Sequence, residues 1–328
     1  MGQHWTYGGV ISLDPLIVMS KRIMSMGTPL GLLSASPNLF DGRPSISFLT
    51  LSWSHESPKL LQKLVSDVQI SKAANPLAEI VMCANTDREH ELFESSGIPS
   101  ILANENSFCE LARYNFPEER PASDFDAVYV ASLHERKRHF LANRIPNLLC
   151  LYDKAPTETV DMFRDRLPFA AFGNHDWNDD QYERLFGAKL NETMARAHVG
   201  LCLSASEGAM RVSVEYQLCG LPVVTTPSKG GRDRYLQHEF AKYVDPNPEE
   251  VAEAVQRLKN RGLSPKDIRQ NVIDLIERDR DHFVREANKH IDRVFGAQGP
   301  QISGFDPFER TASQRMRPMA EVLKPTLA

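Results

Sequence analysis

Short apolar runs alternate along this chain with longer stretches whose apolar residues recur three and four apart. The runs predict buried strands, and the stretches predict helices laid against them. In the first third, Ser45–Trp53 (SISFLTLSW), Ile80–Ala84 and Ile98–Ala103 predict strands. Pro58–Ile70 predicts a helix with Leu60, Leu61, Leu64, Val65 and Val68 at core spacing. Thr86 or Asp87 can cap a second helix over Arg88–Ser95, which Gly97 ends. Residues 1–82 are otherwise the least legible part. There Gly8-Gly9 precedes a mixed apolar run through Met26, and a plain turn is the ordinary reading of the pair.

Tyr114–Ser123 contains Pro117 and Pro121 among charged residues and reads as a linker. Beyond it Asp126–Leu133, Asn147–Tyr152 and Phe169–Phe172 predict strands, and Glu158–Asp165 a helix. Gln181–Phe186 is predicted helical, with Asp179 and Asp180 as acidic caps rather than a metal-binding pair. The sharpest pattern follows. Val199–Leu203 is a strand, Ser204, Ser206 and Gly208 form a tight loop, and Ala209–Cys219 is a helix that Gly220 terminates. Val223–Thr226 is then a second strand, parallel to the first. Val244–Pro246 predicts a short edge element, Pro248–Lys259 an amphipathic helix and Pro265–Phe295 one or two more. The proline-rich tail from Gly296 holds a candidate helix at Ala312–Leu323.

At 328 residues the chain suggests about two domains. We set them at 1–120 and 121–295, with 296–328 as a tail. A net charge of −5 without a long basic run gives no reason to expect nucleic acid. No apolar stretch is long enough to span a bilayer. The start, MGQHWTYGGV, lacks a basic region followed by an apolar core, so a secretory signal is not expected. Cys83, Cys109, Cys150, Cys202 and Cys219 show no CxxC, which suits buried thiols in a reducing, cytoplasmic setting. Asp279-Arg280-Asp281 falls in a charged helical pattern and reads as a solvated face.

Two glutamates do not fit a purely architectural reading. Glu207 sits in the loop at the carboxyl end of a strand, where open α/β sheets place ligands. Glu215 follows eight positions later on the helix, flanked by Val212 and Cys219. At ~1.5 Å per helical residue the two carboxylates stand on the order of 10 Å apart. A carboxylate accepts from two neighbouring hydroxyls at once, and N–H groups at a helix start favour phosphate. A nucleotide-sugar has hydroxyls at both ends and phosphate between. The plain alternative is an Arg211–Glu215 helix pair and a solvated Glu207.

Glu207, Gly208 and Glu215, then Cys219-Gly220-Leu221-Pro222-Val223-Val224 and Gly230-Gly231, resemble the carboxy-terminal half of GT-B-type retaining glycosyltransferases, the group 1 or E-x7-E family. The resemblance runs over Phe125–Leu258. It implies an α/β, GT-B-like architecture of two Rossmann-like domains with parallel sheets facing a cleft, the first domain here reduced. It also implies transfer of a sugar from a nucleoside diphosphate to an acceptor that the sequence does not identify, with retained configuration, no metal and no cofactor. The tail is then a candidate to cross back to the first domain.

The resemblance carries roles onto particular residues. Lys137 matches the lysine that holds the donor diphosphate. Ser132 stands where the family has an arginine, so either Arg136, Arg138 or Arg211 substitutes or phosphate is held less tightly. The amides near Gly208, Ala209 and Met210, with Arg211 beside them, lie toward the diphosphate. Glu207 orients sugar hydroxyls and Glu215 the ribose. Gly230 and Gly231 lie beside the donor sugar, although Arg234 replaces the usual glutamate. Gly173 and Asn174 are candidates for the base side, and Gly8-Gly9 for an acceptor-side loop. His4, His55 and His90 are candidates for a histidine near the reacting carbon. A catalytically inactive nucleotide-sugar-binding partner subunit is the rival reading. A dinucleotide-dependent oxidoreductase would need G-x-G-x-x-G after an early strand, which is absent.

Overall fold

The computed structural model describes residues 5–23, 27–115, 124–296, 299–311 and 317–326. The linker residues 116–123, His4 and the first part of the Ala312–Leu323 segment lie outside them. The chain divides into two compact units, Met1–Cys109 with Ile276–Ala328, and Glu110–Leu275. These breaks differ from 120/121 and 295/296, because the second falls inside one continuous helix, Pro265–Phe295. Both units are mixed α/β, with one wholly parallel sheet and one parallel but for its first strand, the GT-B-like class expected.

In the first unit Gly8–Leu13 and Leu16–Arg22 form an antiparallel hairpin. Ser45–Leu51, Ala78–Ala84 and Ser100–Leu102 then add in sequence order, parallel to Leu16–Arg22. Sequential right-handed crossovers put their helices, Pro58–Ala74 and Asp87–Ser95, on the same face. Leu64, Val68 and Phe93 pack there on Val18, Leu49, Ile80 and Met82. The other face, with Ile17, Met19, Ile46, Phe48 and Val81, needs a separate cover. Phe283, Ala287 and Ile291 of the long helix supply it, together with Ile302 and Phe308. Arg280 on this helix is buried, not solvated, and donates to the Ser107 and Cys109 carbonyls at 2.8 and 2.6 Å.

Gly8-Gly9 is neither loop nor turn but the start of a strand, a correction to the acceptor-side reading. Gly8 has φ 110°, and a Cβ there would lie 2.3 Å from the Met19 carbonyl oxygen, so the close pairing requires glycine.

The second unit has six parallel strands. Across the sheet they run Ala241–Tyr243, Val223–Thr225, Ala197–Cys202, Phe125–Val130, Leu148–Leu151, Ala171–Phe172. Numbered within the unit this is the 3-2-1-4-5-6 order of a doubly wound fold, and the order reverses between Phe125–Val130 and Ala197–Cys202. Tyr216 packs its ring where a Cβ on Gly200 would sit, and its hydroxyl accepts from the Val130 amide at 2.7 Å.

Three local expectations change. The predicted helix Gln181–Phe186 is instead a strand, Gln181–Tyr182, paired with His175–Asp176, and the helix follows at Gly187–Met194. Asp179 and Asp180 therefore cap nothing. Asp180 turns the hairpin at φ 50°, a conformation Asp tolerates, and accepts from His175. The helix after the tight loop begins at Val212, because Met210 at φ 46° interrupts it. The edge strand is Ala241–Tyr243, ahead of Val244–Pro246. Among the described residues, no helix is long and apolar enough to cross a membrane.

Candidate functional site

The reversal of strand order leaves a crevice at the carboxyl ends of Phe125–Val130 and Ala197–Cys202, because the chain departs from these neighbouring strands in opposite directions. From the first strand come Ser132 and a short turn, Glu135–Lys137. From the second come Leu203, Ser204 and the loop to Met210. Lys137 and Glu207 meet here in an ion pair, with side chains 12% and 6% exposed. The Tyr129 hydroxyl, on the first strand, donates to the Lys137 carbonyl and fixes the turn. Burial pushes the Tyr129 hydroxyl well above its ordinary value, so it stays protonated and able to donate.

The glycine-rich turn docks onto the Glu207 loop through its backbone. The Glu207 amide donates to the Lys229 carbonyl, and the Lys229 amide to the Ala205 carbonyl, each at 3.0 Å. Gly230 has φ 90° and opens the turn Gly231–Asp233. Below it Arg232 is fully buried. It donates to Ser204 O at 2.6 Å, to Thr225 Oγ1 at 2.7 Å, to the Thr226 carbonyl, and to Asp233 Oδ1 at 2.7 Å. Burial alone would weaken its hold on the proton, but the Asp233 carboxylate outweighs burial and raises it further.

Of the three candidates to replace the arginine missing at Ser132, Arg138 reaches these strand ends. It takes φ 53° and donates to Leu203 O at 2.5 Å and Thr226 Oγ1 at 2.8 Å. Burial, then the neighbouring Arg232 charge, lowers its affinity for its proton. Arg211 lies instead near Glu215, whose carboxylate feels its charge.

Glu215 is buried on the helix Val212–Leu218, all of whose residues are buried. Its Oε1 accepts from the Tyr114 hydroxyl at 2.8 Å. Burial raises its carboxyl above the usual carboxylate range, against the charge of Arg211, the Tyr114 hydrogen bond and the charge of Arg113. The amides of Gly208 and Met210 donate no hydrogen bond among the described residues.

Asn174 has a structural occupation. Its side chain accepts from the Tyr152 amide at 3.2 Å and donates to the Tyr152 and Glu183 carbonyls at 2.7 and 3.2 Å, tying the hairpin to the sheet. A Cβ on Gly173 would lie 2.5 Å from Leu149 Cδ1, so this glycine serves close packing. In the first unit, His55 is buried between Arg22 Nε at 3.1 Å and the Trp53 carbonyl at 2.8 Å. Burial lowers it to about 4, the Trp53 carbonyl opposing and Arg22 assisting. His90 Nδ1 pairs with Ser100 Oγ at 2.7 Å.

Sequence reasoning missed Tyr114, assigned to a linker, and the burial of Arg232. The only signal for Arg232 was an arginine in a glycine-rich turn after a parallel strand. Nothing local marked Tyr114 as a partner for a residue so distant in sequence.

Residues 182–274 match the family model of glycosyl transferases group 1. No curated protein sequence matches the chain. The structure is similar to that of Anabaena Alr3699/HepE in complex with UDP and glucose, at 17% identity over 78% of this chain and 72% of that one, with a TM-score of 0.52. It is also similar to sucrose-phosphate synthase (tll1590) from Thermosynechococcus elongatus, at 14% identity, 86% and 74% coverage and a TM-score of 0.55. A glycosyltransferase from Rickettsia africae ESF-5 gives 14%, 86%, 77% and 0.56 in the same order. At these identities the likeness is one of fold. With the family match over residues 182–274, part of the second unit, it is in line with the group 1 resemblance drawn from the sequence.

Proposed function

We propose that the chain moves a sugar from a nucleoside diphosphate to an acceptor, with retained configuration and without a metal. The observation that carries this reading is the Lys137–Glu207 pair at the crevice where the strand order reverses. A diphosphate arriving there supplies Lys137 with a second anionic partner and releases Glu207 toward the sugar hydroxyls. The UDP and glucose bound by the Anabaena relative support a donor of this kind.

In the reaction, the bond from the anomeric carbon to the diphosphate oxygen breaks, and its electron pair leaves with the diphosphate. The acceptor oxygen bonds to the same carbon on the same face, and its proton passes to the leaving phosphate. Lys137 and the Gly208 and Met210 amides meet the charge that builds on that oxygen, a fixed electrostatic contribution. Arg138 stands in for the arginine missing at Ser132. Glu215 holds the ribose, and Gly230-Gly231 lets the backbone approach the donor. All five cysteines are buried thiols, which supports a reducing, cytoplasmic setting.

Release of nucleoside diphosphate from a panel of UDP- and GDP-sugars tests the proposal, with the anomeric configuration of the product read by NMR. Release unchanged by EDTA and abolished by Glu207→Ala is the expected result. Turnover by Glu207→Ala equal to the native protein removes the site assignment. The serine at 132 favours one second reading, a binding subunit without catalysis. Tight UDP or GDP binding with no release from any sugar would establish it.

A further inference from the structure

Glu215 presents a buried carboxylate that is only half used. Oε1 accepts from Tyr114, whereas Oε2 makes no hydrogen bond among the described residues, although the residue is only 7% exposed. Oε2 is not among the fully buried partnerless atoms, so it carries the residue's remaining solvent access, and a ligand hydroxyl would take the place of water there. The bond to Tyr114 fixes which oxygen remains available and how the carboxylate plane is turned.

The segment that carries Tyr114 has anchors besides the tyrosine side chain. Arg269 donates to the carbonyls of Tyr114 and Leu218, the latter at 2.7 Å, and to Leu111 O at 3.0 Å. Asn191 Oδ1 accepts from the Asn115 amide at 2.9 Å and from Cys219 Sγ at 2.8 Å. These contacts fasten Leu111–Asn115 to the end of the Val212–Leu218 helix through backbone groups. The tyrosine hydroxyl is thereby left to the carboxylate. Burial, together with the Glu215 charge and hydrogen bond, keeps that hydroxyl protonated and able to donate.

We infer that Tyr114 is a positioning residue for nucleotide recognition: its hydroxyl holds Glu215 Oε1 so that Oε2 faces the ribose hydroxyls of the donor. The inference rests on the proposed role of Glu215 and adds to it a residue from the segment that sequence alone reads as linker. It also explains why a phenol suits this position. A rigid aromatic side chain carries one donor to a carboxylate acceptor with little entropy to lose.

The test uses the full chain and calorimetric titration with UDP and GDP, followed by the 2′,3′-dideoxy form of whichever binds. Glu215→Gln and Tyr114→Phe are compared singly and together. Tyr114→Phe is expected to weaken the ribonucleotide about three- to tenfold, the worth of one buried hydrogen bond. Neither substitution changes binding of the dideoxy form, and the double variant is no weaker than Glu215→Gln alone. Loss on Glu215→Gln with none on Tyr114→Phe overturns the positioning role and leaves the glutamate assignment standing. Equal weakening of ribo and dideoxy forms by Tyr114→Phe, alongside a lowered Tm, makes the tyrosine a structural staple and also overturns it. Unchanged ribonucleotide binding by Glu215→Gln, or no binding of either nucleotide by the native chain, overturns the glutamate assignment and the inference with it.

Discussion

The guanidinium groups of Arg138 and Arg232 converge on the same two strand ends. Arg138 bonds Leu203 O and Thr226 Oγ1, while Arg232 bonds Ser204 O, Thr225 Oγ1 and the Thr226 carbonyl. Two cations brought this close are opposed by Asp233, which pairs with Arg232. Arg232 is the buried member and is locked into the fold. Arg138 is the one with its charge partly in water.

Arg232 should therefore behave as a structural residue. Arg232→Met leaves Asp233 and the strand-end carbonyls without their donor, and is expected to cost about 3–5 kcal/mol. Arg232→Lys should recover little of that, because an ammonium cannot reproduce the forked geometry. Urea denaturation of both variants measures it. By contrast Arg138→Ala is expected to weaken nucleoside diphosphate binding with a much smaller change in the denaturation midpoint.

Lys137 and Glu207 should act as a unit. Lys137→Met is expected to lower kcat by about 10²-fold or more, as loss of a fixed charge at a leaving group does. It also strands Glu207 in a nearly dry site. Glu207→Gln should lose activity too, and the double variant should be no worse than the more damaged single one. Steady-state rates of diphosphate release from all three variants decide it. Independent, additive losses would show that the two residues serve separate steps.

Much of the second unit was legible because its strands are short, largely apolar and bounded by small turn residues. Pro248–Lys259 was read with its observed limits, Asn247 capping it. The first unit was harder. Its opening hairpin, Gly8–Leu13 and Leu16–Arg22, is buried on both faces, so no alternation marks the strands. The misread helix at Gln181–Phe186 failed for another reason. The hairpin there is held by side chains, Trp177 stacked on His175 at 3.9 Å and, from another element, Arg164 over Trp177 at 3.7 Å. Tertiary partners of this kind leave no periodic trace. The two glutamates were visible as a spacing, but their partners Lys137 and Tyr114 lie 70 and 101 positions from them and came together only in the fold.

His139 gives the stability an acid dependence. Its ring is buried between Tyr129 and Phe163, and burial, then the Lys137 charge, lowers it from 6.5 to about 4, with Glu135 opposing. The unfolded chain then binds the proton more readily than the folded one. The stability this contributes is fully present above pH 6.5 and is lost as pH falls from 6.5 toward 4. His139→Leu, of similar volume, removes the titration. The difference in unfolding free energy between this variant and the native chain should move in favour of the variant by about 3 kcal/mol across that window. Urea titrations at several pH values measure the difference directly, which cancels the contributions of His55 and the buried carboxylates. A difference independent of pH would show that His139 is protonated alike in both states.

Gly200 sets how closely the helix carrying Glu215 lies against the sheet. A Cβ on Gly200 would sit 2.4 Å from the Tyr216 ring, and Tyr216 is fully buried with its hydroxyl on the Val130 amide. The ring cannot swing aside without breaking that bond, and Gly200 is itself paired to Val128 and Val223 in the sheet's centre. Gly200→Ala must therefore push the helix outward, an overpacking cost of about 1–3 kcal/mol. Because Tyr216 and Glu215 are adjacent on one short helix, the displacement should also weaken nucleotide binding. Tyr216→Phe, which keeps the ring and loses only the hydroxyl bond, should cost about 1 kcal/mol and leave the helix in place. If the packing argument holds, Gly200→Ala combined with Tyr216→Leu should recover part of the stability lost by Gly200→Ala alone, since the branched chain vacates the space the new methyl needs. Denaturation midpoints of the two single variants and the pair test this. Strict additivity between positions in direct contact would mean that the methyl group is accommodated elsewhere.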